Sequence, residues 1–274
     1  VQDSPERGSL DAWATLAALA QVTDRLRLGT LVSPATFRHP SVLAKVAVTV
    51  DHVSRGRVEV GIGAGWHEPE HTAYGFPFPP ASTRLEMLEE QIEIVHRSWK
   101  PGPFDVDGRH YRLKGLDAFP KPVQQPHPNL IVGGSGGARS VRLAARWADE
   151  YNTIFASPDL CRRRRQSVNA ACEAAGRAPA LAFSLMTGCI VGRDDDDVHH
   201  RASLALERRD GGGSVDDWLD GIRGEWIVGT VDEAVGRLRE YEAAGVDRVM
   251  LQHQRHNDLA MVRLLGEIAA QLAG

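Results

Sequence analysis

The run Gly61-Ile62-Gly63-Ala64-Gly65-Trp66-His67-Glu68-Pro69-Glu70-His71 packs two imidazoles, two carboxylates, an indole and three glycines into eleven residues. Such groups at a strand end can move protons, bind a metal or hydrogen-bond a flat ligand. An ordinary glycine-rich connection with exposed His and Glu is the competing reading. A second stretch, Gly133-Gly134-Ser135-Gly136-Gly137, follows an apolar run and opens a helix. Converging backbone N–H groups and the helix dipole there suit a phosphate, against the alternative of a bare turn. The dinucleotide fingerprint also requires an acidic residue at a set distance downstream, and none stands there, which argues against NAD. Arg38-His39 is a third polar pair, with a simple ion pair from Arg38 to an acid as its plainer role. His110, His127, His199 and His200 read as surface residues. Asp194 to Asp197 reads as a helix start, where acids suit the positive end, and no metal site is expected.

The elements that must position these groups alternate between two periods. Asp11 can cap a helix with Trp13, Leu16, Ala17 and Ala20 on one side. Arg25 to Val32 reads as a strand ended by Ser33-Pro34. Pro40 opens a helix that buries Leu43, Val46, Ala47, Val50 and Val53 and stops at Gly56. Arg57–Ile62 is the next strand. Thr83 and Glu86 form a capping box for a long helix facing inward through Leu85, Leu88, Ile92, Val95 and Trp99. Residues 101–128 break the pattern and read as an insertion carrying a hairpin around Asp107-Gly108.

Regularity resumes with a strand at Asn129–Val132, a helix through Trp147, a strand at Tyr151–Phe155 and a helix from Cys161 to Ala175 capped by Ser157. Arg162 to Arg165 is expected to be a solvated face. Leu181–Val191 is a strand, Asp210 to Ser214 a flexible loop within 207–228, and Thr230 with Glu233 a second capping box. A strand at Arg248–Gln252 and a helix from Asn257 to Ala273 complete the chain. Six strands, near residues 28, 59, 131, 153, 186 and 250, alternate with helices. That order implies a parallel sheet, either open and doubly wound or a barrel lacking its first two strands. The absence of an initiator Met favours the barrel, read as one domain over residues 1–274.

Composition narrows the function. The chain has 274 residues, 42% of them hydrophobic and 25% charged, with a formal net charge of −4. It shows no bias toward nucleic acid or a membrane surface. Three cysteines without a close pair imply neither a disulfide framework nor a zinc site, which fits a reducing, cytoplasmic compartment. The first ten residues are polar, so no signal peptide is visible.

Several segments together resemble the bacterial luciferase-like monooxygenase superfamily, in its coenzyme F420-dependent oxidoreductase branch. They are Leu28-Gly29-Thr30-Leu31-Val32-Ser33-Pro34, Phe37-Arg38-His39-Pro40, Leu43-Ala44-Lys45, the Gly61–His71 run, Tyr74-Gly75-Phe76-Pro77, Val132-Gly133-Gly134-Ser135-Gly136, Leu143-Ala144-Ala145-Arg146-Trp147-Ala148-Asp149 and Gly245-Val246-Asp247-Arg248-Val249. The resemblance implies an enzyme with a (β/α)8 TIM barrel, here apparently lacking the first two strands, and a cofactor lying across its C-terminal mouth. It implies coenzyme F420, with FMN as the alternative, and a small-molecule substrate. Relatives often dimerise, and an FMN enzyme would work with a separate reductase.

By the same resemblance, Gly133, Gly134, Ser135 and Gly136 bind the cofactor phosphate. Thr30 and Leu31 belong to a bulge with a non-prolyl cis peptide behind the ring. His67 becomes a polar cofactor contact and the candidate catalytic residue, and the glycines of Gly61–Gly65 become room for a flat cofactor. Sugar-phosphate dehydrogenases of the superfamily carry a catalytic Glu where this chain has Ala64, which argues against that substrate class. Further catalytic residues would lie upstream of Val1, and a catalytically incomplete barrel is a third reading.

Overall fold

A computed structural model describes residues 8–207, 213–255 and 257–273. Val1 to Arg7, and Asp210 to Gly212 of the expected flexible loop, lie outside them. The chain divides into two compact units, Val1–Tyr151 and Asn152–Gly274.

In the first unit, α1 (Ala12–Gln21) begins at Asp11, whose carboxylate accepts the Ala14 N–H at 2.9 Å. Trp13 and Ala20 of its inner face are buried. Then follow β1 (Leu28–Pro34), α2 (Pro40–Ser54) and β2 (Val58–Gly63). Pro40 sits at the first position of α2, and the helix ends where Arg55 and Gly56 turn left-handed, at φ of 56° and 84°. β2 pairs in parallel with β1 on one side and with β5 (Asn129–Gly133) on the other. All six β2 residues are buried, as befits a parallel strand covered on both faces. Arg57 closes the C-terminal end of α1, donating to the carbonyls of Ala20, Thr23 and Leu26 at 2.7–2.8 Å.

β1 starts three residues later than the sequence pattern implies, and a register shift against β2 between Thr30 and Ser33 lets it run on through Ser33-Pro34. The Gly61–His71 run is also more regular than expected, since Glu68–Tyr74 forms a short helix, α3. Long helix α4 (Ala81–Ser98) buries Leu88, Ile92 and Val95, with Trp99 buried just beyond its end. Its expected capping box is absent. Pro80 is the N-cap without a side-chain bond, and Thr83 lies inside the helix. The Glu86 carboxylate instead accepts from His110 Nε2 and Arg109 Nη1, both at 3.1 Å.

The insertion forms the expected hairpin, β3 (Phe104–Asp107) antiparallel to β4 (Arg112–Leu116). Glu90 of α4 grips its turn, accepting the consecutive N–H groups of Arg109, His110 and Tyr111 at 2.9–3.0 Å. Buried Asp51 of α2 holds the return segment by accepting the N–H groups of Val123 and Gln124 at 2.7 and 3.1 Å. Two histidines read as surface residues are therefore not so. The His110 side chain is 16% exposed beside Glu86, and that of His127 is 11% exposed, its ring 5.7 Å from Trp99 and 4.9 Å from His96. α5 (Ala138–Trp147) follows the glycine-rich turn, and β6 (Glu150–Ile154) carries the chain into the second unit.

There, α6 (Pro158–Ala174) is capped by Ser157, which accepts the Leu160 N–H at 3.3 Å. Arg162 and Arg163 of α6 are exposed as expected. Arg164 and Arg165 turn inward, to Thr153 and to the Leu181 carbonyl. β7 (Ala182–Gly192) pairs in parallel with β9 (Arg248–His253) along Ser184–Cys189 and with β8 (Ile227–Thr230) along Cys189–Gly192.

α7 (Asp195–Glu207) starts at the acidic run, α9 (Val231–Ala243) carries the full Thr230/Glu233 capping box, and α10 (Leu259–Ala273) ends the chain. β8 and α8 (Val215–Ile222) were not legible within the segment read as a loop. β8 has only four residues and runs straight into a helix cap. α8 is held by Trp218, Leu219 and Ile222 packing around Trp226. Among the described residues no helix is long and apolar enough to cross a membrane.

Candidate functional site

The bulge of β1 is built by a chain of hydrogen bonds. Trp13 Nε1 donates to Ser33 Oγ at 3.0 Å, Ser33 Oγ donates to Thr30 Oγ1 at 3.1 Å, and Thr30 Oγ1 donates to the Gly61 carbonyl at 3.0 Å. The Leu31–Val32 peptide within it is cis, at the position expected. Thr30 is 7% exposed and its hydroxyl is fully engaged in this relay. The bulge swings the Val32 side chain over three glycines. A Cβ on Gly63 would lie 2.5 Å from Val32 Cγ2, one on Gly61 3.0 Å from Val32 Cγ1, and one on Gly133 3.1 Å from the same methyl. At Gly63 the bare face of β2 is filled by Val32 of this chain, and at Gly61 the Thr30 carbonyl oxygen stands only 2.1 Å from where a Cβ would lie.

His67 and His71 have separate roles. His71 is 1% exposed on α3, with ring contacts to Phe37 and Phe78 at 4.8 and 4.6 Å. Its Nδ1 lies 2.7 Å from the His67 carbonyl, which can only accept, so Nδ1 carries the proton. In the neutral ring Nε2 then accepts from Thr36 Oγ1 at 2.7 Å. His71 thus pins the loop, as does Arg84, whose Nε donates to the Gly65 carbonyl at 3.2 Å. The His67 ring is half-buried against Trp66 at 4.9 Å, and Trp66 is 80% exposed. Of the two imidazoles, His67 is the one whose ring nitrogens make no hydrogen bond among the described residues. Arg38 takes its plainer role, pairing with Asp11. The Asp11 carboxyl is held below its usual range by the Ala14 N–H, against burial, with Arg38 adding to the effect. His39 caps α2, its Nδ1 accepting from the Ser41 N–H at 3.3 Å.

The glycine-rich turn is held from below by Tyr151. Its hydroxyl accepts the Gly136 N–H at 2.9 Å and meets Ser140 Oγ at 3.0 Å. Ser140 spends its own proton on the Gly137 carbonyl at 2.8 Å, so Tyr151 is the donor in that pair. A Cβ on Gly134 would lie 2.4 Å from the Tyr151 hydroxyl, so glycine is required there. Gly136 thus turns its N–H inward. Ser135 is exposed, no side chain caps α5, and no acid stands in its first turn. These are the conditions in which a helix start receives an anion.

Gly133 joins this turn to the bulge through Val32, while His67 belongs to the neighbouring cluster of Trp66, Thr36, Phe37 and His71. Val32, Tyr151 and Arg84 were missed by sequence reasoning. Glycines two apart on β2 were the available signal for Val32, because alternate strand residues share a face. Among the described residues no group of three or more His, Cys, Asp or Glu is placed to hold a metal.

Comparison with known proteins gives this geometry a context. An uncharacterised protein of Mycobacterium tuberculosis is 38% identical over 152 residues, covering 56% of this chain and 52% of its own length. The match thus spans about half the length of the curated relative. Among solved structures, a monooxygenase from Streptomyces bottropensis superposes with a TM-score of 0.83 at 24% identity, covering 96% of this chain and 83% of that one. An F420-dependent secondary alcohol dehydrogenase bound to an F420–acetone adduct gives 0.81 at 20% identity, covering 96% and 84%. These likenesses establish the expected barrel-type α/β fold. The family model for luciferase-like monooxygenases matches residues 2–248. By that match over most of its length, the chain belongs to the luciferase-like monooxygenase family.

Proposed function

We propose that this protein is an oxidoreductase in which coenzyme F420 exchanges hydride with a small organic substrate. The observation that carries the reading is the uncapped, acid-free start of α5 behind Gly133-Gly134-Ser135, which suits the cofactor's phosphate. Gly134 and Ser135 would hold that group. The committed N–H of Gly136 gives it the role of shaping the turn around Tyr151. Thr30 and Leu31, in the bulge, would back the ring, and His67 is the candidate polar contact and catalytic residue. When bound, F420 supplies two-electron chemistry, and the protein supplies orientation and exclusion of water. The substrate class, a homodimer, a cytoplasmic location and a single barrel domain over 1–274 belong to the same proposal.

The likeness to the Streptomyces monooxygenase favours a second reading, an FMN-dependent monooxygenase fed by a separate reductase. Titrating the protein with F420 and with FMN, each followed by fluorescence, separates the two. Saturable F420 binding is expected. Ser135→Glu, which sets a carboxylate at the helix start, is expected to weaken it about tenfold or more. Tight FMN binding without F420 binding would establish the second reading. Binding of neither would favour an incomplete barrel.

A further inference from the structure

Of the six tryptophans, Trp13, Trp99 and Trp226 are buried and Trp147 and Trp218 half-buried, while Trp66 is 80% exposed. A covered aromatic ring takes about 150–250 Å² out of water, and the reading above gives this one no role. Its main chain is nevertheless tied on both sides. The Gly65 carbonyl accepts from Arg84 Nε at 3.2 Å, and the His67 carbonyl from His71 Nδ1 at 2.7 Å. Both donors are themselves fixed. The Arg84 guanidinium lies 3.9 Å from the Phe78 ring centroid and donates to the Pro79 carbonyl, and His71 is buried and bonded to Thr36. Gly65 supplies the turn with φ of 80°, which an L side chain rarely adopts. The indole leans on the His67 ring, with centroids 4.9 Å apart and planes at 59°. The fold thus spends an arginine and a buried histidine on holding an indole out in solvent.

Position and chemistry say what such an indole can meet. β2 ends at Gly63, so Trp66 stands just past the C-terminal end of a parallel strand, the end at which such sheets bind ligands. A rigid ring on a fixed main chain has given up its freedom before a ligand arrives, so a flat partner gains contact at little further entropic cost. A puckered, saturated ring touches the same plane with fewer atoms. Charge narrows the class again. Glu68 and Glu70 follow in the first turn of α3, and the nearby Arg84 is committed to the main chain, so an anion is repelled here.

We infer that Trp66 is a specificity-determining residue, a platform for a planar, unsaturated substrate that carries no negative charge. Beside it the His67 nitrogens, which make no hydrogen bond among the described residues, can bond a polar group of the same molecule. That the ligand is a substrate rests on the oxidoreductase reading, whereas the platform itself lies wholly within the first unit and is tested without a cofactor.

The test follows the Trp66 indole N–H by ¹H–¹⁵N NMR, with the signal assigned by its loss in Trp66→Leu. The probes are 2-naphthol, its saturated counterpart decahydro-2-naphthol, and the anion 2-naphthoate, each titrated alone. A saturable shift is expected with 2-naphthol, and binding at least about fivefold weaker with the other two. Read from the Gly65 and His67 amides, Trp66→Leu, which stays apolar and loses the plane, is expected to weaken 2-naphthol about fivefold or more. Trp66→Phe, which keeps a plane, is expected to fall between. An indole signal unmoved by 2-naphthol, equal binding of the saturated alcohol, or equal affinity in Trp66→Leu overturns the inference. So does a signal that shifts with protein concentration and not with the probe, which would place the indole between two copies of the chain. The cofactor is read separately, by the F420 and FMN titrations. Failure of both with 2-naphthol still bound would remove the oxidoreductase reading and leave the platform.

Discussion

Val32 shows how one side chain can decide what its neighbours must be. Its methyls crowd the space in which Gly63 and Gly133 would carry a Cβ, Gly61 being closed first by the Thr30 carbonyl, and the 2.5 Å approach at Gly63 leaves no room for one. Gly63→Ala is therefore expected to destabilise the protein by about 1–3 kcal/mol, read as a lower urea midpoint at unchanged slope. Adding Val32→Ala to Gly63→Ala is expected to recover more than half of that loss, a coupling that independent sites would not show. The glycines themselves were legible in the sequence, but their tenant was not. Val32 reaches them only because the register of β1 shifts after Thr30, and that shift rests on Trp13 and Ser33, the former on a different element. Likewise His67 and His71 look equivalent in the sequence. Only the folded loop shows that His71 is consumed by Thr36 and the His67 carbonyl.

At the scale of elements, capping signals held where the chain leaving the cap was free to turn and failed where a neighbour claimed the acid. Thr230 and Glu233 bond reciprocally, and Glu233 sits below the usual carboxylate range because the Thr230 N–H and hydroxyl both donate to it. Glu86 has the same spacing from Thr83 but is drawn to the hairpin, where the His110 hydrogen bond, ahead of Arg109, lowers its pKa. The hairpin was announced by Asp107-Gly108, whereas its attachment was not, since Glu90 reads as one more exposed helix acid. Glu90→Ala removes a carboxylate serving three N–H groups, a loss of about 2–3 kcal/mol locally. Amide exchange at residues 109–111 is expected to accelerate about 30-fold or more in that variant, with the buried core of α4 unaffected. Equal acceleration along α4 would show instead that the hairpin supports the helix.

For the whole molecule, the alternation of helix and strand was enough to identify a parallel α/β architecture, because each period reports a face that must be buried. The short β8 and α8 escaped because four and eight residues carry too little period to register. Burial also sets the response to pH. His96, packed against His127 and Trp147, has its pKa pushed down to about 4, first by desolvation and then by Lys100 and His127. Between pH 6.5 and pH 4 the unfolded chain takes up a proton at this residue that the folded protein refuses. Its contribution is therefore intact above pH 6.5 and lost as the pH falls, amounting to about 1–3 kcal/mol. His96→Phe is expected to flatten the fall of the melting temperature over that window relative to wild type.

Burial raises the Cys161 and Cys189 thiols to about 11 and about 12. Both are expected to stay unreactive to a thiol reagent at pH 8 until the protein is unfolded.

The Glu90 clamp has one further consequence, for how this surface can change over time. It reads main chain rather than side chains, so the clamp itself asks only that residues 109–111 not be proline, while Tyr111 is fixed separately by burial against Ile94 and Phe104 and His110 by its bond to Glu86. Its only strict requirement in the turn is Gly108, where a Cβ would meet the Glu90 carboxylate at 2.2 Å. The exposed positions of the hairpin, such as Arg109 and Lys114, can therefore diversify while its attachment through Glu90 is inherited intact.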